Sequence, residues 1–151
     1  MLSPIGLVPK KIPGKFRLIH HLSYPRGTSI NSGIDRQHTT VTYHTVDNAI
    51  DIITSLRAPV FLAKTDIEAA FRLIPVKPED YYLLGFKWKG SFYHDKMLAM
   101  GLSASCQVFE KFSSAIQWVA QTHLHIHHML HILDDFFNPS RVKTTVQEPV
   151  K

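Results

Sequence analysis

The sequence predicts an α+β fold: an antiparallel sheet with helices packed on one face. Three observations predict it. Strand patterns flank turn signals at both ends of the chain, two segments repeat apolar residues at helical spacing, and the elements run strands, helix, strand, hairpin, helix, hairpin.

Residues 3–11 and 15–22 read as two strands around Pro13-Gly14, a strong turn signal. Phe16, Leu18 and Leu22 alternate with Arg17 and His21, giving an apolar and a polar face. Residues 23–44 are rich in Ser, Thr, Gly, Pro and Asn and read as a long irregular connection. Val46, Ala49, Ile50, Ile53 and Leu56 recur at helical spacing, with Thr45 placed to cap the start. The apolar run 60–63 follows Pro59 and reads as a buried strand leading to Asp66. Residues 67–73 form a short helical or turn segment. Residues 81–87 and 91–98 make a hairpin over Lys89-Gly90.

Residues 103–121 are predicted helical, with Val108, Phe112, Ala115, Ile116 and Val119 on the buried face. A strand over 124–133 leads to Asp134-Asp135 at a hairpin tip, and Phe136-Phe137 begin the return strand. Asn138-Pro139 should stop that strand early, because proline lacks the N–H a ladder needs. The tail beyond is polar and without pattern, and is expected to be disordered. The linear division is 1–45, a basic portion; 46–137, the portion with the aspartates; and 138–151, the tail.

The chain has 151 residues, of which 44% are hydrophobic and 19% charged, enough for a real core. No run approaches the ~18 apolar residues of a membrane-spanning helix, and the start lacks the features of a signal peptide. The single cysteine, Cys106, excludes an internal disulfide and fits a reducing, intracellular compartment, cytoplasm or nucleus. The net charge of +5 is concentrated. Residues 1–40 carry Lys10, Lys11, Lys15, Arg17, Arg26 and Arg36 against Asp35 alone, and the remainder balances. A basic element of this kind suits a phosphate-bearing polyanion, or is a plain solvated loop.

Asp66 and the Asp134-Asp135 pair each stand where an apolar run ends. Carboxylates so placed repel one another, and a divalent cation relieves the repulsion with the hard oxygen ligands that magnesium prefers. Each site alone also suits a bland role: a cap or turn for Asp66, a hairpin tip for the pair. His123, His125 and His127, which alternate along the expected strand, offer a weaker zinc reading or simply an exposed polar face, and a metal-dependent hydrolase using aspartates and histidines remains a third class.

With these residues in place the chain resembles a reverse transcriptase, and more narrowly the DIRS-type (tyrosine-recombinase) retrotransposons. Four ordered blocks carry the likeness over residues 3–137: Lys15-Phe16-Arg17-Leu18-Ile19-His20-His21-Leu22-Ser23, Lys64-Thr65-Asp66-Ile67-Glu68-Ala69-Ala70-Phe71, Met100-Gly101-Leu102-Ser103-Ala104-Ser105-Cys106-Gln107-Val108-Phe109, and Leu133-Asp134-Asp135-Phe136. The resemblance implies fingers and palm, with 1–45 in the fingers and 46–137 in the palm, and RNA-directed DNA synthesis with two Mg2+ or Mn2+ ions. Asp66, Asp134 and Asp135 would be the catalytic carboxylates and ion ligands, with the Ile67 carbonyl assisting. Arg17, with Lys10 and Lys11, would hold the nucleotide phosphates. Phe71 would be the steric gate against ribose, and Met100 and Gly101 would line the nucleotide.

The implied partners are an RNA or DNA template with primer and deoxynucleoside triphosphates, with no membrane. Departures accompany the match. Ile132 stands where the family has tyrosine, Met100 where Gln or Phe is common, and Cys106 where proline is frequent. After Phe137 the next palm motif, the primer grip and the thumb are missing, so the resemblance implies a truncated copy or a fragment, weak or inactive alone. A non-catalytic nucleic-acid-binding remnant is the alternative.

Overall fold

A computed structural model describes residues 1–57 and 59–141. In chain order the elements are β1 (Ile5–Pro9), β2 (Phe16–His20), α1 (Val46–Ser55), β3 (Phe61–Asp66), β4 (Gly85–Trp88), β5 (Ser91–His94), α2 (Ser105–His123), β6 (Leu130–Ile132) and β7 (Asp135–Ser140). The class is α+β and the named strands all pair antiparallel. They form three sheets, β1–β2, β3–β7–β6 and β4–β5, where one was expected. Two compact units result. One combines Met1–Thr40 with Ala69–Phe109, and the other combines Val41–Glu68 with the described residues from Glu110 on. The division expected at residues 45 and 137 ran linearly along the chain. The units do not, because β3 pairs with β7 from far along the sequence.

In the first unit, β1 and β2 pair from Ile5↔His20 to Pro9↔Phe16. Their loop closes with the Lys10 N–H donating to the Lys15 carbonyl (2.8 Å). Leu22, Leu84 and Ala99 form the core, with Ile30, Val76 and Leu102 against it. Phe16 and Leu18, expected to share the buried face with Leu22, are exposed. The segment 23–44 is more ordered than its composition suggests. It holds short 3-10 helices at Ile30–Gly33 and Arg36–His38, capped by Ser29 and Asp35. Asn31 ties it down: its amide donates to the Ser23 hydroxyl and the Gly101 carbonyl (both 2.8 Å), and its Oδ1 accepts from the Ser103 N–H (2.9 Å).

The hairpin over Lys89-Gly90 is present, and both turn residues take positive φ (46° and 85°), which suits the right-handed strand twist. Its first strand starts at Gly85 rather than 81, because Pro78–Leu84 is a 3-10 helix whose proline presets the first helical φ.

A buried polar group sits at the end of β2. His20 is 2% exposed and Asp95 7% exposed. The His20 Nε2 lies 3.8 Å from Asp95 Oδ2, and Arg72 Nη1 donates to that same oxygen at 2.5 Å. Burial lowers the His20 imidazole below its ordinary value, against the pull of Asp95 and with the help of Arg72. Burial works to raise the Asp95 carboxyl, but the Arg72 hydrogen bond, the Met97 N–H and the charges of Arg72 and His20 together hold it low.

In the second unit, α1 begins at a capping box: the Thr45 hydroxyl accepts from the Asn48 N–H, and the Asn48 side chain accepts from the Thr45 N–H (2.9 Å). The Arg141 guanidinium donates to the Leu56 carbonyl at the other end of the helix. The strand β3, expected to be buried, is an edge strand paired only with β7, so Phe61 and Leu62 are exposed. The strand β7 does not stop at Asn138-Pro139. It runs to Ser140, with Pro139 opposite Leu62. The other neighbour, β6, pairs only as far as Phe137, so at Pro139 one side of β7 is open and a missing N–H can be tolerated there. Residues 138–141 of the expected disordered tail are thus ordered, and the rest of that expectation, 142–151, lies outside the described residues.

Helix α2 was expected to bury Val108, Phe112, Ala115, Ile116 and Val119. Instead Phe109, Ser113 and Ala120 are buried, while Val108, Phe112 and Val119 are exposed. Hydrogen bonds made by the polar residues of α2, described below, override the apolar pattern. The strand expected over 124–133 shrinks to β6. The helix runs on to His123, and His125 turns the chain with φ 54°, so His123, His125 and His127 do not alternate on a strand. No helix among the described residues is long and apolar enough to cross a membrane.

The buried histidine gives a signed expectation. With its folded-state value below the ordinary ~6.5, His20 contributes stability that is complete above pH ~6.5 and falls as the pH drops through that value toward the folded one. The melting temperature should decline between pH 7 and 5.5, and His20→Phe should make the decline shallower. An unchanged slope in the variant would assign the acid sensitivity to other groups.

Candidate functional site

Asp66 is the last residue of β3 and faces Asp135, the first residue of β7, across the strand pair. Asp134 precedes Asp135 in the turn from β6, and its carbonyl accepts the Ile67 N–H at 2.9 Å. The three aspartates therefore gather at one end of the β3–β7–β6 sheet. Their electrostatics register the crowding. The Asp66 carboxyl is raised by desolvation at the strand end, then by the negative charges of Asp134 and Asp135 and a hydrogen bond shared with Asp135. Lys64, two residues back on β3, counters this. Its Nζ lies 3.0 Å from Asp135 Oδ1, and that hydrogen bond raises the ammonium in turn.

The turn carrying Asp134 is held by α2. Leu133 has φ 54°, a left-handed state rare for a leucine. The Ser113 hydroxyl donates to the Leu133 carbonyl (2.6 Å), and Glu110 Oε2 accepts the Leu133 N–H (3.2 Å). The same carboxylate reaches β6: Glu110 Oε1 is 3.0 Å from His131 Nε2, and His131 Nδ1 bonds the Gln117 side chain. Glu110, Ser113 and Gln117 stand at i, i+3 and i+7, on one side of the helix. Burial lowers the His131 imidazole, against the pull of Glu110 and with the help of His44, whose ring packs edge-on at 5.8 Å. Sequence reasoning gave Glu110, Ser113 and Gln117 no role, and noted His131 only beside the alternating histidines of the zinc reading. The signal was there in the helical spacing of three polar side chains, but it reads as a solvated face until the hairpin opposite is known.

The donor chemistry at the sheet end suits a hard divalent cation: carboxylate oxygens on the exposed Asp66 and the half-buried Asp134 and Asp135, with a backbone carbonyl at Ile67 nearby. Among the described residues, no group of three or more His, Cys, Asp or Glu side chains is gathered at metal-holding distance. Lys64, paired with Asp135 at 3.0 Å, is the neighbouring positive charge.

The other sequence-predicted site residues belong to the first unit. Lys10, Lys11 and Arg17 are exposed on the β1–β2 hairpin and its loop. Phe71 is half-buried, with its ring edge-on to Phe109 at 5.5 Å. The Met100 carbonyl accepts the His20 N–H (2.9 Å). Gly101 has φ 116°, and a Cβ there would lie 1.9 Å from the His20 carbonyl oxygen. The close backbone approach of β2 thus requires this glycine whatever else it does.

No protein-family description matches the chain, and no curated protein matches it. Solved structures do. The foamy viral protease-reverse transcriptase in complex with double-stranded DNA superposes with a TM-score of 0.66 at 20% identity, over 94% of this chain and 22% of that one. The native protease-reverse transcriptase of Prototype Foamy Virus gives 0.60 at 21% identity, over 91% and 16%. A second foamy viral complex with double-stranded DNA gives 0.57 at 20%, over 93% and 26%. The chain has a reverse transcriptase-like fold and spans about a quarter or less of these proteins.

The shared hydrogen bond gives a check on the carboxylate geometry. Asp66 should titrate above the ordinary carboxylate range of ~4, and Asp135→Asn, by removing one negative charge, should bring it down. Carboxyl carbon chemical shifts followed against pH measure both. An Asp66 titration that ignores Asp135 would mean that the two side chains do not meet.

Proposed function

We propose that this chain is the fingers-and-palm portion of a retrotransposon reverse transcriptase of DIRS type, an RNA-directed DNA polymerase. The observation that carries the reading is the gathering of Asp66, Asp134 and Asp135 at one end of the β3–β7–β6 sheet. The reverse transcriptase-like fold supports it, as do the four sequence blocks. In the reaction, the primer 3′-oxygen attacks the α-phosphorus of a deoxynucleoside triphosphate. The new P–O bond forms as the bond to the β-phosphate oxygen breaks, pyrophosphate leaves, and the hydroxyl proton passes to solvent.

Asp66 and Asp134, with the Ile67 carbonyl, would hold two Mg2+ or Mn2+ ions, which when bound acidify the hydroxyl and neutralise the triphosphate. Asp135, opposite Asp66 and paired with Lys64, completes the acidic set with a weaker claim to direct ligation. Arg17, with Lys10 and Lys11, offers charged donors to phosphates. Phe71 would exclude the ribose 2′-hydroxyl, and Met100 and Gly101 would lie beside the nucleotide. Double-stranded DNA is bound in two of the foamy viral structures. A primer–template duplex is the corresponding partner proposed for this chain.

A second reading, a nucleic-acid-binding remnant without synthesis, draws on one observation: Lys10, Lys11, Lys15 and Arg17 are all exposed in a segment whose charge is almost entirely positive.

One experiment separates them. Primer–template binding should weaken with salt, and neutralising Lys10, Lys11 and Arg17 together should flatten the log–log slope by about 3. Extension of the primer with Mg2+ or Mn2+ should be lost in Asp134→Asn. Extension that survives Asp134→Asn overturns the polymerase reading. Salt-sensitive binding with no extension, even when the palm remainder and thumb of a related reverse transcriptase are joined after Phe137, favours the remnant.

A further inference from the structure

We propose that Ser113 and Glu110 are positioning residues for the acidic cluster, acting through the peptide groups of Leu133. The proposal rests on the metal-holding reading of Asp66 and Asp134 given above. Leu133 is the residue just before Asp134, and it turns the chain with φ 54°. Both of its backbone polar groups are taken by α2: its carbonyl by the Ser113 hydroxyl at 2.6 Å, its N–H by Glu110 Oε2 at 3.2 Å.

Ser113 is fully buried, so water does not replace its hydroxyl freely. The other Glu110 oxygen, Oε1, lies 3.0 Å from His131 Nε2 of β6. The helix therefore grips the turn from both sides of a single residue whose backbone would otherwise relax toward negative φ. Relaxation there would first move Asp134, whose carbonyl meets the Ile67 N–H beside Asp66 (2.9 Å), and then Asp135, which faces Asp66 across the strands. A hydroxyl and a carboxylate three residues apart on one helix thus set the spacing of carboxylates that they never touch.

The test is Mn2+ binding to the 151-residue chain, read from the electron paramagnetic resonance signal of free Mn2+, with thermal melting followed in parallel. Asp134→Asn is the reference and should weaken binding. Ser113→Ala should weaken Mn2+ binding about tenfold, the scale typical of losing an outer-shell partner. Adding Leu133→Gly to Ser113→Ala should restore affinity to within about threefold, because glycine takes positive φ without the leucine's strain.

If Ser113→Ala melts lower but the folded protein binds Mn2+ as before, while Asp134→Asn binds weakly, Ser113 is merely structural and the proposal falls. It falls equally if the double variant binds no better than Ser113→Ala. Should Ser113→Ala not fold, Glu110→Ala serves in its place: the same tenfold loss supports the proposal, and unchanged affinity overturns it. Unaltered Mn2+ binding in Asp134→Asn would instead remove the metal-holding reading, and with it the ground for this one.

Discussion

A leucine held at φ 54° costs about 1–2 kcal/mol relative to the right-handed region. Leu133 stays there because Ser113 and Glu110 engage its carbonyl and its N–H, each bond contributing about 1 kcal/mol net and more if left unmade in a buried place. The short β6–β7 hairpin depends on this arrangement. So does the hairpin's register, Ile132 opposite Asp135 and Leu130 opposite Phe137, because a hairpin's register is set by its turn. A one-residue slip would send every β7 side chain to the opposite face, Phe136 out of the core and Asp135 away from Asp66. The chemistry proposed for this sheet end is therefore only as well placed as the peptide groups of Leu133.

The acidic cluster is balanced by its neighbours in a way that leaves it responsive. Lys64 sits on Asp135, Asp66 faces Asp135 across the strands, and the Lys64 and Asp66 side chains are exposed enough to re-aim. Exposed ion pairs are screened by solvent and worth little, so the Lys64 contact yields readily to a stronger cation. Under the metal-holding reading proposed above, a divalent ion would enter without first dismantling a buried network. The buried network of the same unit, Glu110 with His131 and Ser113 with Leu133, lies beneath it and fixes the backbone instead.

Much of this was legible in the sequence, and the failures share a cause. Thr45 capped its helix, Lys89-Gly90 made its turn, Asp66 ended its strand and Asp134 fell in its hairpin turn, because local chemistry decides such features. Whatever depended on a distant partner was misread. The face of α2 was assigned from its apolar residues, yet Ser113 faces inward because the Leu133 carbonyl is there. The run at 60–63 looked like a buried strand, but β3 has a single neighbour. Pro139 looked like a terminator, and it is tolerated because β6 ends before reaching it. The His20 carbonyl that holds position 101 to glycine is likewise a distant partner that the sequence does not display. The histidine-rich run suggested a strand because its periodicity was counted across a helix end.

The most direct test of the account is a crystal structure of the chain grown with Mn2+ and measured for anomalous scattering. The account predicts anomalous density between Asp66 and Asp134, with Leu133 at positive φ and its carbonyl still bonded to Ser113. Manganese absent from that end of the sheet, with the Asp66 and Asp134 carboxylates turned apart, would contradict it.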